Sequence, residues 1–287
     1  MLWEPPVENN TRGPINLSIV IPAHRDPSLS RCIESIDENV EVIVALNDAS
    51  EDVEQAAVAA GVTIVSMEEA HLGRAYNLGI QAATGDNILL MDSDCIFTSG
   101  TIRKLYDGLS NSDLSKGRVQ FASKSYLTKI VARVRHIHTV KPNAYSPPLA
   151  FKKSILTELG GYYFDPDIPW TEDYDFDMRV RGANLPLTYV DSARIIHPPV
   201  NLTRDLRSAR NYGMGHAVGY LKGLPWYRLP RLSITQLFKS GRKVFAKYGL
   251  ATAIYFTVWQ ISFYFGFRQR LKGTNRLIDS GDSPIRR

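Results

Sequence analysis

The sequence predicts an α/β fold, with a mostly parallel sheet flanked by helices and a basic helical C-terminal tail. Apolar, β-branched segments alternate with segments of helical spacing over the first third of the chain, and the charge balance changes sign towards the C-terminus. With 287 residues, 44% hydrophobic and 22% charged, the chain can bury a substantial core. This composition excludes disordered and fibrous classes.

The predicted elements follow each other in βαβ order. The segments of strand character are 17–23, 40–47, 62–66 and 87–92, and those of helical character are 28–36, a segment from about residue 52, and 74–83. Strands that alternate with helices at this spacing pair in parallel. Ligands of such sheets bind beyond the carboxyl ends of the strands.

The charge distribution divides the chain. Residues 1–200 contain 18 Lys and Arg against 26 Asp and Glu, and residues 201–287 contain 16 against 3, so net charges of −8 and +13 follow each other. We expect an N-terminal arm (1–14), an acidic α/β body (15–215) and a basic tail (216–287). The tail indicates an anionic partner, either a phosphodiester or a membrane surface.

Cysteine use and the N-terminus favour a reducing, cytoplasmic location. Cys32 and Cys95 show no metal-binding or redox spacing, and a chain of this length does not need a disulfide. The segment MLWEPPVENN has neither the basic nor the apolar region of a secretory signal.

Charged residues collect where the predicted strands end. ILLMDSDCIF (88–97) runs from a buried strand into Asp92, Ser93 and Asp94, while His24 follows the first strand and Asp48 the second. Each could be ordinary turn chemistry or a helix cap. Two neighbouring carboxylates are costly unless a cation or proton compensates them, and oxygen ligands suit Mg²⁺ or Mn²⁺. The sequence therefore predicts a divalent metal at this edge.

A second acidic cluster occurs in WTEDYDFDMRVRG (170–182), which fits either a strand or a short helix. Thr171 could cap a helix, and acids in its first turn would favour the helix dipole. We accept that structural explanation for Asp175 and Asp177. Four acids exceed what a helix start requires, so a structural explanation does not account for the whole cluster. His197 ends the strand segment IIHPP, where a lone histidine is commonly a packed or surface residue.

Four segments together resemble a known enzyme family. In order they are SIVIPAHR, LNDASED, HLGRAYNLGIQAATGDNILLMDSD and FKKSILTELGGYYFDPDIPWTEDYDFDMRVRG, over roughly residues 15–215. The series resembles the inverting family 2 glycosyltransferases of the GT-A fold. The resemblance implies a catalytic domain over 15–215, with a nucleotide-sugar half (15–95) and an acceptor half (96–215).

The resemblance also implies roles for individual residues. Pro22, Ala23 and His24 would line the nucleoside pocket, and Asp48 would contact the base. Gly73, Arg74 and Asn77 would approach the ribose and diphosphate. Asp92 and Ser93 would bind the ribose side of the donor. Asp94 would bind the metal, with His197 as a further metal ligand, and Asp173 of the Glu172–Asp173 pair would be the general base. A glycine and an arginine at a helix start suit a diphosphate, although a packing glycine with a surface arginine would look the same. The QxxRW signature of the processive members has no counterpart here, which favours transfer of one sugar per encounter.

The tail contains two predicted helical segments. The first segment, SITQLFKSGRKVFAKYG (233–249), has the pattern of a basic amphipathic helix, with both apolar and basic residues at helical spacing. It begins with Ser233 and Gln236 at the spacing of a capping box. LATAIYFTVWQISFYFGF (250–267) is rich in aromatic residues, which suits a membrane interface. Docking in the membrane plane, a spanning helix and burial against the body all remain open for it.

These observations together predict a metal-dependent, inverting, non-processive glycosyltransferase. It would use a nucleotide-sugar and Mn²⁺ or Mg²⁺, act on a glycan or lipid-linked acceptor of the cell envelope, bind no nucleic acid, and lie at the cytoplasmic face of the membrane. Two alternatives are nucleotidyl transfer to a sugar phosphate, which would release diphosphate, and a catalytically silent, membrane-bound sugar-binding module.

Overall fold

The computed structural model describes residues 15–139, 142–145 and 147–279, with the backbone alone at 274–279. The predicted N-terminal arm, 1–14, lies outside these residues. The strands are β1 (Leu17–Ala23), β2 (Glu41–Asn47), β3 (Thr63–Met67), β4 (Asn87–Leu90), β5 (Ile96–Phe97), β6 (Leu114–Phe121), β7 (Leu149–Lys152) and β8 (Leu187–His197). The helices are α1 (Leu29–Glu34), α2 (Glu51–Ala59), α3 (Leu72–Ala82), α4 (Thr101–Gly108), α5 (Tyr126–Thr139), α6 (Glu172–Gly182), α7 (Leu202–Leu221), α8 (Ile234–Tyr248) and α9 (Leu250–Asp279).

The eight strands form one mixed sheet in the order β3-β2-β1-β4-β7-β6-β8-β5. The first four pair in parallel, as the βαβ pattern predicts. β7 pairs antiparallel with both β4 and β6, and β8 lies parallel to β6. Two reversals restore the original direction, so β8 ends at the same edge of the sheet as β1, β2 and β4. The α/β fold class is confirmed.

Helices cover both faces of the sheet because its strands bury side chains on both sides. Leu29, Cys32, Val53, Ile102 and Leu105 bring α1, α2 and α4 into one core. Tyr76, Ile80, Phe176 and Val180 bring α3 and α6 into the other. Both cysteines, Cys32 and Cys95, are free and buried.

The tail packs on the body through a close helix seam. A Cβ on Gly213 of α7 would lie 1.9 Å from Phe263 O, and one on Gly266 of α9 would lie 1.9 Å from Arg210 O. The two backbones touch only because these positions lack side chains. Residues of α5, α8 and α9, among them Val134, Val244 and Phe256, form a third core cluster. The predicted boundary at 215/216 falls inside α7.

The segment Leu250–Gly273 of α9 is long and apolar enough to cross a membrane, with a mean hydropathy of 1.2 and a third of its window buried. Burial against the body accounts for one side of this helix: Ala253, Tyr255, Phe256 and Phe267 are buried, whereas Ile254 and Phe265 are exposed. The predicted capping box at the start of α8 is wrong, since the Ser233 hydroxyl makes no capping bond to the described residues of that helix.

Candidate active site

The carboxyl ends of four strands bring the predicted residues to one edge of the sheet. Pro22 and Ala23 close β1 and are buried. The polar residues at this edge are His24 after β1, Asp48 after β2, Asp92 after β4 and His197 at the end of β8.

His24 and Asp48 face each other where β1 and β2 end. The Nδ1 atom of His24 lies 2.7 Å from Asn47 O and 3.8 Å from Asp48 Oδ2. Arg25 donates to Asp48 Oδ2 at 2.9 Å. Asp48 adopts a left-handed backbone (φ 48°), a conformation that aspartate tolerates better than most residues. Its carboxylate stays half-exposed, and its predicted contact with a nucleotide base stays a prediction.

The start of α3 is fixed by contacts within the chain. A Cβ on Gly73 would lie 3.2 Å from Glu172 Cβ, so the glycine lets α3 approach α6 closely. Arg74 donates to Glu69 Oε2 at 2.6 Å and to Pro166 O at 2.8 Å. These partners hold Arg74 at the rim of the site, and its predicted role towards a diphosphate stays a prediction.

The side-chain amide of Asn77 forms hydrogen bonds with the segment that precedes α6. Its Nδ2 donates to Phe164 O at 2.7 Å, and its Oδ1 accepts from Phe164 N at 3.0 Å. Both ends of the amide are engaged with one residue of the acceptor half. Asn77 therefore joins the two halves of the body here, and its predicted contact with the ribose or diphosphate is untested.

Asp92 points into the interior, where Tyr76 Oη donates to its Oδ1 at 2.9 Å. Burial, and secondarily the neighbouring Asp94 charge, raise the pKa of Asp92 to about 7. Ser93, beside it, is 9% exposed. Asp92 thus holds a proton more readily than an ordinary aspartate, and its carboxyl faces the central cavity.

Asp94 and His197, predicted as metal ligands from distant parts of the chain, meet at this edge. Asp94 Oδ2 lies 3.7 Å from His197 Nε2 and 3.6 Å from Arg204 Nη2. Cys95 Sγ completes a group of ligand-type atoms that all lie within 4.8 Å of one another. Burial raises the pKa of the Cys95 thiol well above its usual range, so it is a protonated, neutral member of this group.

Hydrogen bonding fixes the tautomer of His197. Its Nδ1 lies 2.7 Å from Pro198 O, a carbonyl that can only accept. Nδ1 therefore carries the proton, and the lone pair of Nε2 faces Asp94. Burial also lowers the pKa of His197, which favours the neutral ring. A neutral imidazole oriented by a carbonyl is the usual arrangement of a metal-binding histidine.

Most of the acidic segment 170–182 forms helix α6, and the second residue of this helix, Asp173, lines the cavity. Glu172 is 3% exposed, and among the described residues its Oε2 has no hydrogen-bond partner. Burial, with Asp173 next, raises the pKa of Glu172 to about 8, so the side chain is largely protonated at neutral pH.

Asp173 lines the cavity itself. Its Oδ1 accepts from Tyr174 N at 2.7 Å, whereas no side chain or backbone group of the described residues donates to its Oδ2. Burial raises the pKa of Asp173 to about 6, while that N–H group and the Lys116 cation act in the opposite direction. At neutral pH this carboxylate is mostly ionised and weakly hydrated, which suits a proton acceptor.

Lys116 is a buried cation that the sequence analysis missed. It is 4% exposed and donates to the carbonyl oxygens of Tyr145 and Pro147, the latter at 2.8 Å. Its pKa is lowered to about 7 by burial, whereas Asp173 and Asp92 raise it. A register shift in β6 between Lys116 and Arg118 accompanies the placement of this side chain in the cavity. The strand LSKGRVQF is only partly apolar, so the sequence offers no clear signal for this buried lysine.

Asp175 and Asp177 have structural roles, as the sequence analysis expected, but through ion pairs rather than the helix dipole. Asp175 accepts from Arg179 Nε at 2.8 Å and from Trp226 Nε1 at 3.1 Å. Asp177 accepts from Arg181 Nε and from Ala144 N, both at 2.8 Å. Thr171 occupies the N-cap position, with its hydroxyl 3.3 Å from Tyr227 Oη.

The cavity has a volume of about 620 Å³ and extends from the sheet edge to the tail. Asp92, Lys116, Asp173 and His197 line its inner end. Aromatic and polar side chains line the remainder, including Tyr145, Trp170, Tyr174, Tyr212, Trp259, Gln260 and Phe263. Aromatic faces with a few hydrogen-bonding groups suit a sugar or another flat, partly apolar ligand. The tail helices are thus a wall of this cavity.

Comparison with known proteins shows which family and which relatives the chain resembles. Residues 18–152 match the model of the family described as glycosyl transferase family 2. A similar curated protein is the uncharacterized glycosyltransferase YwdF of Bacillus subtilis (strain 168), which is 28% identical over 184 residues, covering 58% of this chain and 68% of YwdF.

Two solved structures resemble the fold. The mannosyltransferase PcManGT of Pyrobaculum calidifontis, in complex with GDP-Man and Mn²⁺, has a TM-score of 0.61 at 14% identity, covering 90% of this chain and 88% of its own. The glucosyl-3-phosphoglycerate synthase of Mycobacterium tuberculosis, in complex with Mn²⁺, UDP and phosphoglyceric acid, has a TM-score of 0.51 at 23% identity, covering 69% and 76%. At these identities the likeness concerns the fold, which is that of GT-A glycosyltransferases.

Proposed function

We propose that this protein is a family 2 glycosyltransferase that moves one sugar, with inversion, from a nucleotide-diphosphate sugar to a glycan or lipid-linked acceptor, because residues 18–152 match the model of that family. The observation that carries the proposal is the convergence of Asp92, Asp173 and His197 on one cavity, although they lie on three separate elements. The donor would occupy the strand edge, and the acceptor would occupy the aromatic end of the cavity.

The residues present fit a divalent metal. Asp94 offers a carboxylate oxygen and His197 an oriented nitrogen, which suit Mn²⁺ or Mg²⁺ together with the oxygens of a diphosphate. The protonated Cys95 thiol is the poorest ligand of the group. A bound metal ion would neutralise charge on the departing diphosphate. The relatives PcManGT and glucosyl-3-phosphoglycerate synthase, both solved with Mn²⁺, support this assignment.

Asp173 is the proposed general base. Its free Oδ2 takes the proton of the acceptor hydroxyl while that oxygen forms a bond to the anomeric carbon of the donor sugar. The bond from this carbon to the diphosphate oxygen breaks, and its electron pair leaves with the nucleoside diphosphate. A single displacement from the opposite face inverts the anomeric centre. The Tyr174 N–H group, and after it the Lys116 cation, lower the pKa of Asp173 and so favour its ionised form against the effect of burial.

Replacing Asp173 with Asn tests this role. The amide keeps the size of the side chain but cannot take the proton, so turnover should fall by ~10²–10⁴-fold. Donor affinity should stay within a few fold, because a base acts mainly in the transition state. Release of nucleoside diphosphate measures turnover and calorimetry measures donor binding, with Asp52→Asn on the exposed surface of α2 as the matched control. Near-normal turnover of the Asp173 variant would place the base elsewhere, with Glu172 and then Asp175 as the next candidates.

The same assay separates the alternatives. Nucleotidyl transfer would release diphosphate rather than nucleoside diphosphate, and a silent sugar-binding module would bind donor without turnover. For the metal, Asp94→Asn should remove the metal-dependent part of donor affinity. Equal donor affinity of the wild-type protein with and without a chelator would contradict the metal assignment.

We also propose that the tail docks in the plane of an anionic membrane, at its cytoplasmic face. Two large apolar residues of α8, Ile234 and Phe238, are 86% and 71% exposed, and Lys239, Arg242 and Lys243 accompany them. Exposed apolar side chains beside cations are typical of interfacial helices. Docking in the plane fits α9 better than spanning, because α9 packs against α5, α7 and α8.

Vesicle flotation tests the docking. The wild-type protein should float with vesicles that contain phosphatidylglycerol, and added salt should weaken the effect. Ile234→Ser with Phe238→Ser should reduce flotation, whereas Val58→Ser, at an exposed apolar position of α2, should not. Wild-type protein that stays at the bottom of the gradient at low salt would contradict the proposal.

A further inference from the structure

A second groove lies outside the cavity, between α7 and α9. Its volume is about 660 Å³, and four of its lining residues are basic: Arg207 and Arg210 on α7, and Arg268 and Lys272 on α9. Phe265, which is 60% exposed, also lines it. None of the residues assigned to sugar transfer lies in this groove.

The positive charge of the groove is uncompensated within the described part of the chain. No acidic residue is among the described residues that line it. Arg210 donates to the neutral Gln269 Oε1 at 2.8 Å, and none of the four cations pairs with a carboxylate of the described residues. Four like charges around one groove repel one another unless an anion lies between them. Guanidinium groups match the oxygens of a phosphate particularly well.

The groove continues a stripe of exposed apolar residues along α9. Ile254, Val258 and Phe265 are 56%, 39% and 60% exposed. They are spaced four and seven residues apart, and Arg268 and Lys272 follow after three and four more. At 100° per residue all five lie within about 80° of one helix face. On a membrane, the cations would contact the phosphates of the headgroups and the apolar side chains would contact the acyl chains. A soluble phosphate would make no use of the exposed apolar residues.

We propose that the α7–α9 groove binds the phosphate of an anionic phospholipid headgroup, with Phe265 and the apolar stripe in contact with the acyl region. This inference rests on the membrane contact proposed above and adds a defined headgroup site to it. The site would set the orientation of α9 on the membrane, since the headgroups would lie at its C-terminal half and the apolar stripe would lie along the surface.

The test uses the full-length protein with vesicles of phosphatidylcholine, with or without phosphatidylglycerol. Arg207→Gln with Arg268→Gln removes two exposed cations of the groove. If each contributes as a basic residue near an anionic surface does, the partition coefficient should fall on the order of 30-fold. The matched control, Arg31→Gln with Lys104→Gln, removes two exposed cations of the body and should bind like the wild type. Circular dichroism should be unchanged for both double variants.

Each result decides between the proposals. If the wild type binds the anionic vesicles and the groove variant binds equally well, the headgroup site is wrong while the membrane contact stands. If the wild type does not bind them, both are wrong, and nucleoside diphosphate release still tests the sugar transfer independently. If inorganic phosphate stabilises the wild type but not the groove variant, and both bind vesicles alike, the groove takes soluble phosphate and the lipid assignment fails.

Discussion

The seam between α7 and α9 provides a sharp test of how the tail is held. Gly213→Ala would place a Cβ 1.9 Å from Phe263 O and 2.8 Å from Phe267 N. An ordinary contact between heavy atoms is roughly 3.5 Å, so the helices would have to separate by about 1.5 Å. The obstructing atoms belong to the backbone of a helix and cannot rotate away. We therefore expect the substitution to destabilise the protein.

The magnitude follows from two opposing effects. Overpacking a tight interface costs typically about 1–3 kcal/mol, and a backbone contact this short belongs at the upper end. Alanine also favours the helix over glycine by about 1 kcal/mol. The net loss in unfolding free energy is therefore about 2 kcal/mol. This corresponds to a fall in melting temperature of roughly 4–8 °C for a chain of this size class.

Calorimetry of the purified variants measures this difference. Gly273→Ala is the matched control because Gly273 lies in α9 with no atom within 4 Å of its would-be Cβ among the described residues. It should be neutral or slightly more stable than the wild type. A Gly213 variant as stable as the wild type would show that α7 and α9 do not pack as closely as described. If Gly213→Ala displaces α9 as expected, the KM of the variant for the acceptor should also rise, because Trp259 and Phe263 of α9 line the cavity.

Three further predictions concern the charged groups. Because burial raises the pKa of Asp173 to about 6, kcat/KM should fall as the pH drops through this value, to about a tenth of its plateau one unit below; a flat pH profile would contradict the base assignment. The pKa of Lys116 is about 7, so Lys116 is mostly protonated at the pH near 6 where Asp173 titrates. Lys116→Met removes a positive charge that favours the ionised carboxylate, so the midpoint of the kcat/KM profile should move to higher pH. An unchanged midpoint would exclude an electrostatic effect of Lys116 on Asp173. Asp205 is 1% exposed and accepts from Arg135 Nε at 2.6 Å and from Tyr255 Oη at 2.7 Å. Asp205→Asn should therefore lower the unfolding free energy, measured by urea titration, by about 3 kcal/mol. A loss below about 1 kcal/mol would mean that the Arg135–Asp205 ion pair contributes little to stability.

The first half of the fold was predictable because its signals are local. Apolar strands with turn residues at their ends gave β1 at Leu17–Ala23 and placed β2, β3 and β4 within a few residues. The direction rule for βαβ units then placed His24, Asp48 and Asp92 at one edge. His197 is different, because only the resemblance connected it with Asp94, over a hundred residues earlier. The structure brings the two side chains to 3.7 Å.

The unpredicted features depend on contacts between distant segments. Lys116 looks like a surface residue in sequence, but the irregular pairing of β6 with β8 accompanies its placement in the cavity, where two carbonyl oxygens replace water. Gly213 and Gly215 both lie in α7, and each marks a close approach of another backbone. The sequence pattern of the acidic segment after Trp170 fitted either a strand or a helix. In the structure this segment forms α6, in which Phe176 packs against the core beneath the sheet. Periodicity alone cannot provide such long-range information.

The two faces of α9 connect the proposed reaction with the proposed membrane contact. Trp259, Gln260 and Phe263 face the cavity, whereas Ile254, Val258 and Phe265 form the exposed stripe on the opposite side. A helix of this diameter separates the two surfaces by only about 10 Å. An acceptor held in the membrane by an apolar chain would therefore have its polar end within reach of the cavity, whereas a soluble acceptor would gain nothing from the stripe. If the acceptor is lipid-linked, substitutions in the stripe should raise its KM in the presence of vesicles and leave kcat unchanged. Equal KM values for wild type and stripe variants on vesicles would instead favour a soluble acceptor.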